Sequence, residues 1–209
     1  MISNENEAHA FCAERCDDAA MERIGLFIGL LAEENTRQNL VSEASLSSVW
    51  IRHIADSIQL LDYVPRGTPR GPWLDLGSGA GLPGLVLALA RPEQPIILVE
   101  SRKRRIEWLE MVCDQFSLSQ CTVEGARLES VESRDMALIT ARAFAPLGKL
   151  LKLSARFSTH ATTWLLPKGR SGPNELSEQD ASIRQMFHVE QSKTDAEAAI
   201  LVGKGRPLP

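Results

Sequence analysis

Trp73-Leu74-Asp75-Leu76-Gly77-Ser78-Gly79-Ala80-Gly81-Leu82-Pro83-Gly84 is the stretch whose reading decides the fold. Trp73, Leu74 and Leu76 supply a short buried strand. Gly77, Gly79 and Gly81 lack a Cβ, so the backbone can turn sharply and a ligand can come close. Pro83 suits the first turn of a helix, where its missing N–H costs nothing. A helix start offers free N–H groups and a partial positive charge. The stretch therefore predicts strand, glycine turn and helix, a cradle of the nucleotide-binding type.

Downstream, strand and helix signals alternate. A helix is expected from Pro83 to Arg91 and a strand at Ile96–Glu100. Arg102 to Phe116 follows as a helix with Ile106, Leu109, Val112, Cys113 and Phe116 inside. Strands follow at Cys121–Glu124, Met136–Thr140 and Thr162–Leu166, with a helix from Pro146 to Phe157. Lys168 to about Asp180 reads as a surface loop. Weaker β segments lie near Phe187–Gln191 and Ala198–Val202. Solidly apolar strands joined by helices imply a mostly parallel sheet covered on both faces. Ligands of such sheets sit at the C-terminal strand ends where strand order reverses. The glycine turn, Glu100 and the turns after Glu124 and Thr140 would meet there.

Upstream, residues 7–34 read as helix, with Ala20, Ile24, Phe27 and Leu31 in one apolar stripe. A second helix is expected from Ser45 to Tyr63, burying Leu46, Trp50, Ile54, Ile58 and Leu61. Arg52 and Asp56 lie off that stripe as i,i+4 neighbours, open to a surface ion pair. Pro65–Pro72 is a turn-rich linker. The division is thus an N-terminal helical extension over 1–64 and a Rossmann-like domain over 65–209.

The chain has 209 residues, 44% of them apolar, and a net charge of −4. That length holds one good-sized α/β domain with an extension. No apolar run reaches the roughly 18 residues of a membrane span, and the N-terminus lacks a signal peptide's basic and apolar regions, so a cytoplasmic protein is expected. Residues 1–36 hold eight acids against two bases, a net of −6; the rest therefore carries +2 and has room for a local basic face. Cys12, Cys16, Cys113 and Cys121 form no CxxC pair. Cys12 and Cys16 share a helix face, but small buried thiols are the plainer reading, and no metal is expected.

Two ligand readings compete for the glycine turn. Gly79-Ala80-Gly81-Leu82-Pro83-Gly84 matches G-x-G-x-x-G, with Glu100 placed 21 residues after Gly79, which would make an NAD(P)-dependent oxidoreductase. Against it, the match starts after the strand has ended. Asp75-Leu76-Gly77-Ser78-Gly79-Ala80-Gly81 matches the D-x-G-x-G-x-G arrangement that holds S-adenosylmethionine. A carboxylate at Asp75 suits a ligand carrying an ammonium and a sulfonium and would repel a pyrophosphate. Glu100 would accept both ribose hydroxyls in either class. The S-adenosylmethionine reading is the better one.

Beyond the turn, further motifs stand in order: Asn39-Leu40, Arg52-His53-Ile54-Ala55-Asp56-Ser57, Glu100-Ser101 with Arg104-Arg105, Arg127-Leu128-Glu129, Arg142-Ala143-Phe144-Ala145-Pro146-Leu147 and Lys168-Gly169. With them the chain resembles the bacterial glucose-inhibited division protein B family (RsmG), small-subunit rRNA methyltransferases that make 7-methylguanosine in 16S rRNA. The resemblance runs from about residue 35 to 170. It implies a class I methyltransferase fold with a seven-stranded sheet behind an N-terminal helical extension. It implies S-adenosylmethionine as cofactor, with S-adenosylhomocysteine as product, held by Asp75, Gly77, Gly79, Gly81, Leu82, Glu100, Leu128, Glu129 and Arg142. The family often has Asp where Glu100 stands and Gly where Lys103 stands.

Guanine N7 carries a lone pair and no proton, so its methylation needs alignment and no general base. Arg142 suits guanine, a phosphate or the cofactor carboxylate; an ion pair with Asp75 or Glu129 is the alternative. Arg127 and Lys168 are candidate RNA contacts. Arg52 and His53, with Asn39 in the preceding loop, would stand beside the target base. Phe144 is open to stacking or to core packing. Arg102-Lys103-Arg104-Arg105 opposes a helix dipole, which makes sense if the charges face phosphates. The expected partner is 16S rRNA within the 30S subunit, approached by a monomer. A non-catalytic rRNA-binding or assembly factor on the same fold is the competing reading, and a small-molecule methyltransferase a weaker one.

Overall fold

Seven strands make one sheet in the order β3-β2-β1-β4-β5-β7-β6. They are β1 (Trp73–Leu76), β2 (Ile96–Val99), β3 (Cys121–Glu124), β4 (Leu138–Ala141), β5 (Thr163–Lys168), β6 (Phe187–Gln191) and β7 (Ala199–Lys204). The computed structural model describes residues 1–65 and 71–207, so residues 66–70 of the expected linker lie outside the described residues. β1 to β5 run parallel, and β7 is antiparallel to both β5 and β6. Strand order reverses between β1 and β4, whose register pairs Leu76 with Ala141. A crevice opens at such a switch point.

Side chains alternate across this sheet into two cores. Leu74, Leu76, Ile97, Val99, Ile139 and Trp164 face one, which α7 (Leu147–Ser154) covers through Leu147, Leu150 and Leu151. Trp73, Ile96, Leu98, Leu138 and Leu165 face the other, with α5 (Gly84–Ala90) and α6 (Lys103–Gln115). The N-terminal helices share this second core. Ala20, Ile24, Phe27 and Leu31 are fully buried in it, as the stripe predicts. Each such burial stabilises by about 1.5–3 kcal/mol for the large side chains. Phe27 meets Trp108 of α6 with ring centroids 6.1 Å apart.

Four local expectations change. The helix read over residues 7–34 is two helices, α1 (Glu5–Ala13) and α2 (Asp18–Asn35). Asp17 breaks it by capping α2, its carboxylate accepting Ala20 N–H at 2.7 Å. The helix read over 45–63 becomes α3 (Glu43–Leu46), a π-helical turn over Trp50–Ala55, α4 (Asp56–Ile58) and a 3₁₀ turn over Gln59–Tyr63. The changed winding shifts the stripe, so that Leu60 is fully buried and Leu61 only partly. Pro83 stands just before α5, after a cis peptide bond, and not within its first turn. The loop expected at 168–180 contains α8 (Gly172–Ser177), with Pro173 in its first turn, and α9 (Ala181–Met186) follows. Among the described residues no helix is long and apolar enough to cross a membrane.

Candidate active site

The glycine turn leaves β1 at the switch point. Gly77 has φ +68°, a left-handed conformation that a side chain disfavours, and its N–H donates to Val99 O at 2.8 Å. A Cβ on Gly84 would lie 2.5 Å from Asp75 Cβ, so the start of α5 rests directly on Asp75. Trp108 of α6 ties the turn down, its indole N–H donating to Ala80 O at 3.1 Å.

Asp75 is buried beneath this turn. Thr140 Oγ1 donates to its Oδ1 at 2.7 Å, and Oδ2 has no partner of normal geometry, with Gly84 beside it. Burial raises its pKa against the influence of Ser78, Thr140, Gly84 and Arg142. The expected direct contact with a cationic ligand gives way to a carboxylate that anchors the turn from below. Its orphaned oxygen is the acidic feature of the cradle.

Glu100, at the end of β2, is also buried. Its Oε1 accepts the N–H groups of Ser101 and Arg102 at 2.7 and 2.9 Å, and its Oε2 accepts Gly79 N–H at 3.0 Å. A carboxylate offers about four lone-pair positions, so one acceptor position remains, on Oε2. The expected two-oxygen clasp on a ribose is thus reduced to a single acceptor. The same carboxylate sits at the start of α6, where it offsets the unfavourable basic run at residues 102–105.

Two cavities open at this edge. The smaller, about 350 Å³, is lined by Gly77, Glu100, Leu128, Glu129, Phe144 and Lys149, with Arg127 exposed at its rim. The larger, about 740 Å³, is lined by Arg52, His53, Asp56, Arg142, Lys168 and Asp195 among others. Phe144 and Ala145 line both. Gly79, Gly81 and Leu82 shape the turn without lining either cavity, and Leu82 is buried in the core. Asn39 lines a neighbouring hollow with Asn35 and Glu43, whose lining does not include His53.

Every cation of the larger cavity has a carboxylate partner. Arg142 donates to Asp56 Oδ2 at 3.1 Å and to Arg52 O at 3.2 Å, so its partner is neither Asp75 nor Glu129. Arg52 pairs with Asp195 at 3.1 Å and not with Asp56. The π turn accounts for this, because its wider winding takes Arg52 and Asp56 out of α-helical i,i+4 register. Lys168 Nζ donates to Glu175 at 2.8 Å and to Ala145 O at 3.1 Å, with its side chain 10% exposed. The RNA contact expected of Lys168 becomes an internal brace. Burial would raise the Glu175 pKa, but Lys168, Ser171 and Leu147 N–H together hold it below the ordinary value.

His53 is buried, and its Nδ1 lies 3.3 Å from Arg142 and its Nε2 2.9 Å from Ser45 Oγ. A guanidinium only donates, so Nδ1 accepts and Nε2 carries the proton. Burial, then the charges of Arg142 and Arg52, push its pKa down to about 4. Gln59, Ser192 and Thr194 complete the network, Thr194 Oγ1 donating to Asp56 Oδ1 at 2.8 Å. The β6–β7 loop thus clamps the helical extension, a role that the loosely patterned C-terminal sequence did not signal. Among the described residues no cluster of three or more His, Cys, Asp or Glu side chains has metal-binding geometry.

The strand order with its reversed β7, the glycine turn after β1 and the acid closing β2 define a class I methyltransferase fold. A putative S-adenosyl-L-methionine-dependent methyltransferase from Methanococcus maripaludis shares it at a TM-score of 0.56 and 12% identity, over 73% of this chain and 84% of that one. The chain belongs to the GidB family, rRNA small subunit methyltransferase G, whose model matches residues 20–199. It is 60% identical over 206 residues to the ribosomal RNA small subunit methyltransferase G of Erythrobacter litoralis, covering 99% of both chains. To the protein of that name from Novosphingobium aromaticivorans it is 50% identical, over 97% of this chain and 89% of the relative.

Proposed function

We propose that this protein transfers a methyl group from S-adenosylmethionine to N7 of a guanine in 16S rRNA of the small ribosomal subunit. The residues present fit that cofactor. Gly77 adds no side chain of its own at the turn, Glu100 Oε2 keeps an acceptor position, and Leu128 supplies an apolar wall. When bound, S-adenosylmethionine supplies an electrophilic methyl carbon on a sulfonium.

The observation that carries the N7 reading is that the candidate bases of the larger cavity are all engaged. His53 Nδ1 faces Arg142, Asp56 accepts from Arg142, Gln59 and Thr194, and Glu175 accepts from Lys168. A reaction that removes no proton needs none of them free. What it needs is a purine held in line, and Arg142 on its braced loop is placed to hold one through O6. Arg52 and His53 act from the helical extension of residues 1–64, and residues 65–209 form the methyltransferase unit. Arg127 at the rim contacts the RNA backbone, and Lys168 braces the loop. The protein works as a monomer in the cytoplasm on a ribosomal substrate.

The test supplies labelled S-adenosylmethionine and purified protein to unmodified 30S subunits and to free 16S rRNA, followed by nuclease digestion and mass spectrometry. Labelled 7-methylguanosine on either substrate is the expected result. Its absence from both would sink the proposal.

A further inference from the structure

The two cavities adjoin, yet Phe144 stands between them. Its ring edge rests on Gly77: a Cβ on that glycine would lie 2.7 Å from Phe144 Cδ2. The ring therefore occupies space directly over the turn that the proposed cofactor must approach. The chain around it is held at several points. Arg142 is tied to Asp56, Ala145 O to Lys168 Nζ, and Leu147 N–H donates to Glu175 at 2.8 Å. Between the first two ties Ala143 has φ +52°, a left-handed conformation rare for a residue with a Cβ. Such strain persists only where the surroundings enforce it. The sharp turn at Ala143 sends Arg142 towards the helical extension and Phe144 towards Gly77.

The Phe144 side chain itself has no polar tie. It is only partly buried, at the edge of the α7 core. Apolar packing alone holds the ring, while polar ties hold the backbone on either side of it. Transfer between the two cavities requires their contents to touch, and Phe144 lines both of them.

We propose that Phe144 is a movable partition and a positioning residue. Against Gly77 it separates the cavities; displaced by the cofactor, it lets them join and lies against the target purine. Base-on-aromatic stacking is sequence-tolerant and strong, about 5- to 140-fold in binding per base. This inference rests on the methyltransferase reading above.

The test compares wild type with Phe144→Ala, Phe144→Leu and Phe144→Trp. S-adenosylmethionine affinity is measured by calorimetry without RNA, and kcat and KM on unmodified 30S subunits. Phe144→Ala is expected to bind S-adenosylmethionine as tightly as wild type or up to about threefold tighter, because no ring has to be displaced. Its kcat is expected to fall by about 10- to 100-fold, with Phe144→Leu similarly impaired and Phe144→Trp within about threefold of wild type. The added indole of Phe144→Trp should change its emission when S-adenosylmethionine alone is added, measured against wild type. Weaker cofactor binding in Phe144→Ala would make the ring a fixed wall of the cofactor site and overturn the proposal. So would an unchanged kcat in Phe144→Ala, or an indole emission insensitive to saturating cofactor. A wild type that gives no product sinks the methyltransferase reading instead, and the calorimetry and emission arms still decide whether the ring moves.

Discussion

His53 gives the fold a pH dependence whose size follows from its surroundings. The imidazole is 7% exposed, faces the Arg142 and Arg52 charges and has its pKa pushed down to about 4 from the ordinary 6.5. The unfolded chain takes up this proton as pH falls through 6.5, and the folded chain resists until about 4. Between those values the unfolded state binds more protons, so stability is fully present above about 6.5 and is lost as pH falls towards 4. At pH 5 the loss from this one residue is about 2 kcal/mol, and below pH 4 it approaches about 3 kcal/mol. For a chain of this length, 2 kcal/mol corresponds to roughly 4–8 °C in Tm. Urea unfolding followed by tryptophan emission at pH 5, 6, 7 and 8 gives the wild-type profile. His53→Gln keeps a polar side chain of similar reach without the titration. Its stability relative to wild type should therefore improve by about 2 kcal/mol between pH 7 and pH 5, whatever its offset at pH 7. Parallel profiles for the two proteins across that range would refute the reasoning.

Other perturbations test the site piece by piece. Trp108→Phe removes the indole N–H from Ala80 O, which should cost about 1–2 kcal/mol in urea and weaken S-adenosylmethionine binding in calorimetry by loosening the glycine turn. Gly77→Ala places a side chain at φ +68° and 2.7 Å from Phe144, with an expected cost of about 1–3 kcal/mol; Phe144→Ala in the same chain should recover the steric part, seen as non-additivity in thermal melts. Arg142 and Asp56 are each about a fifth exposed, so a double-mutant cycle with Arg142→Gln and Asp56→Asn should give a coupling of about 1 kcal/mol. Replacing both Arg104 and Arg127 by Gln should flatten the salt dependence of 30S binding by about 1.4 in log–log slope, at about 0.7 per lost single-strand phosphate contact, measured by filter binding.

The sheet was legible because its signals are local. Leu74 and Leu76, Ile96 to Val99 and Leu138 to Thr140 are apolar runs bounded by turn residues, and three glycines after Asp75 have few structural uses besides a tight ligand-facing turn. The smaller cavity was partly legible for the same reason: Gly77 and Glu100 follow strand ends, and parallel strands bring their ends together, whereas Leu128 and Glu129 were named only through the family resemblance. The larger cavity was less so. Its geometry depends on a π turn whose first N–H groups, on Trp50 and Ile51, are taken by the carboxylate of Glu5 at 2.9 and 3.0 Å. A partner 45 residues away leaves no mark on the local pattern, which still reads as α-helix. Arg52 likewise finds Asp195 across 143 residues of sequence, while the neighbour it was matched with, Asp56, goes to Arg142. Spacing names the residues that gather there but not who holds whom.

Those pairings also resolve how an acidic chain can suit an RNA. Around the larger cavity Arg52, Arg142 and Lys168 are each matched by a carboxylate, so the space they enclose is close to neutral. A neutral, half-apolar cavity suits a purine, which carries no charge of its own, and it does not attract loose phosphate. Across Phe144 the balance differs. Arg102, Arg104, Arg127 and Lys149 stand exposed near the smaller cavity, or at the start of α6, with no ion pair among the described residues. Cations without an ion-pair partner there are available to a backbone, and the paired cations of the larger cavity offer it little. The net of −4 hides this division, because the eight acids that produce it lie in residues 1–36. On the proposed reading, affinity for the polyanion and selection of the base fall to different cations. The Arg142–Asp56 pair marks the boundary between them, set against the loop that carries Phe144.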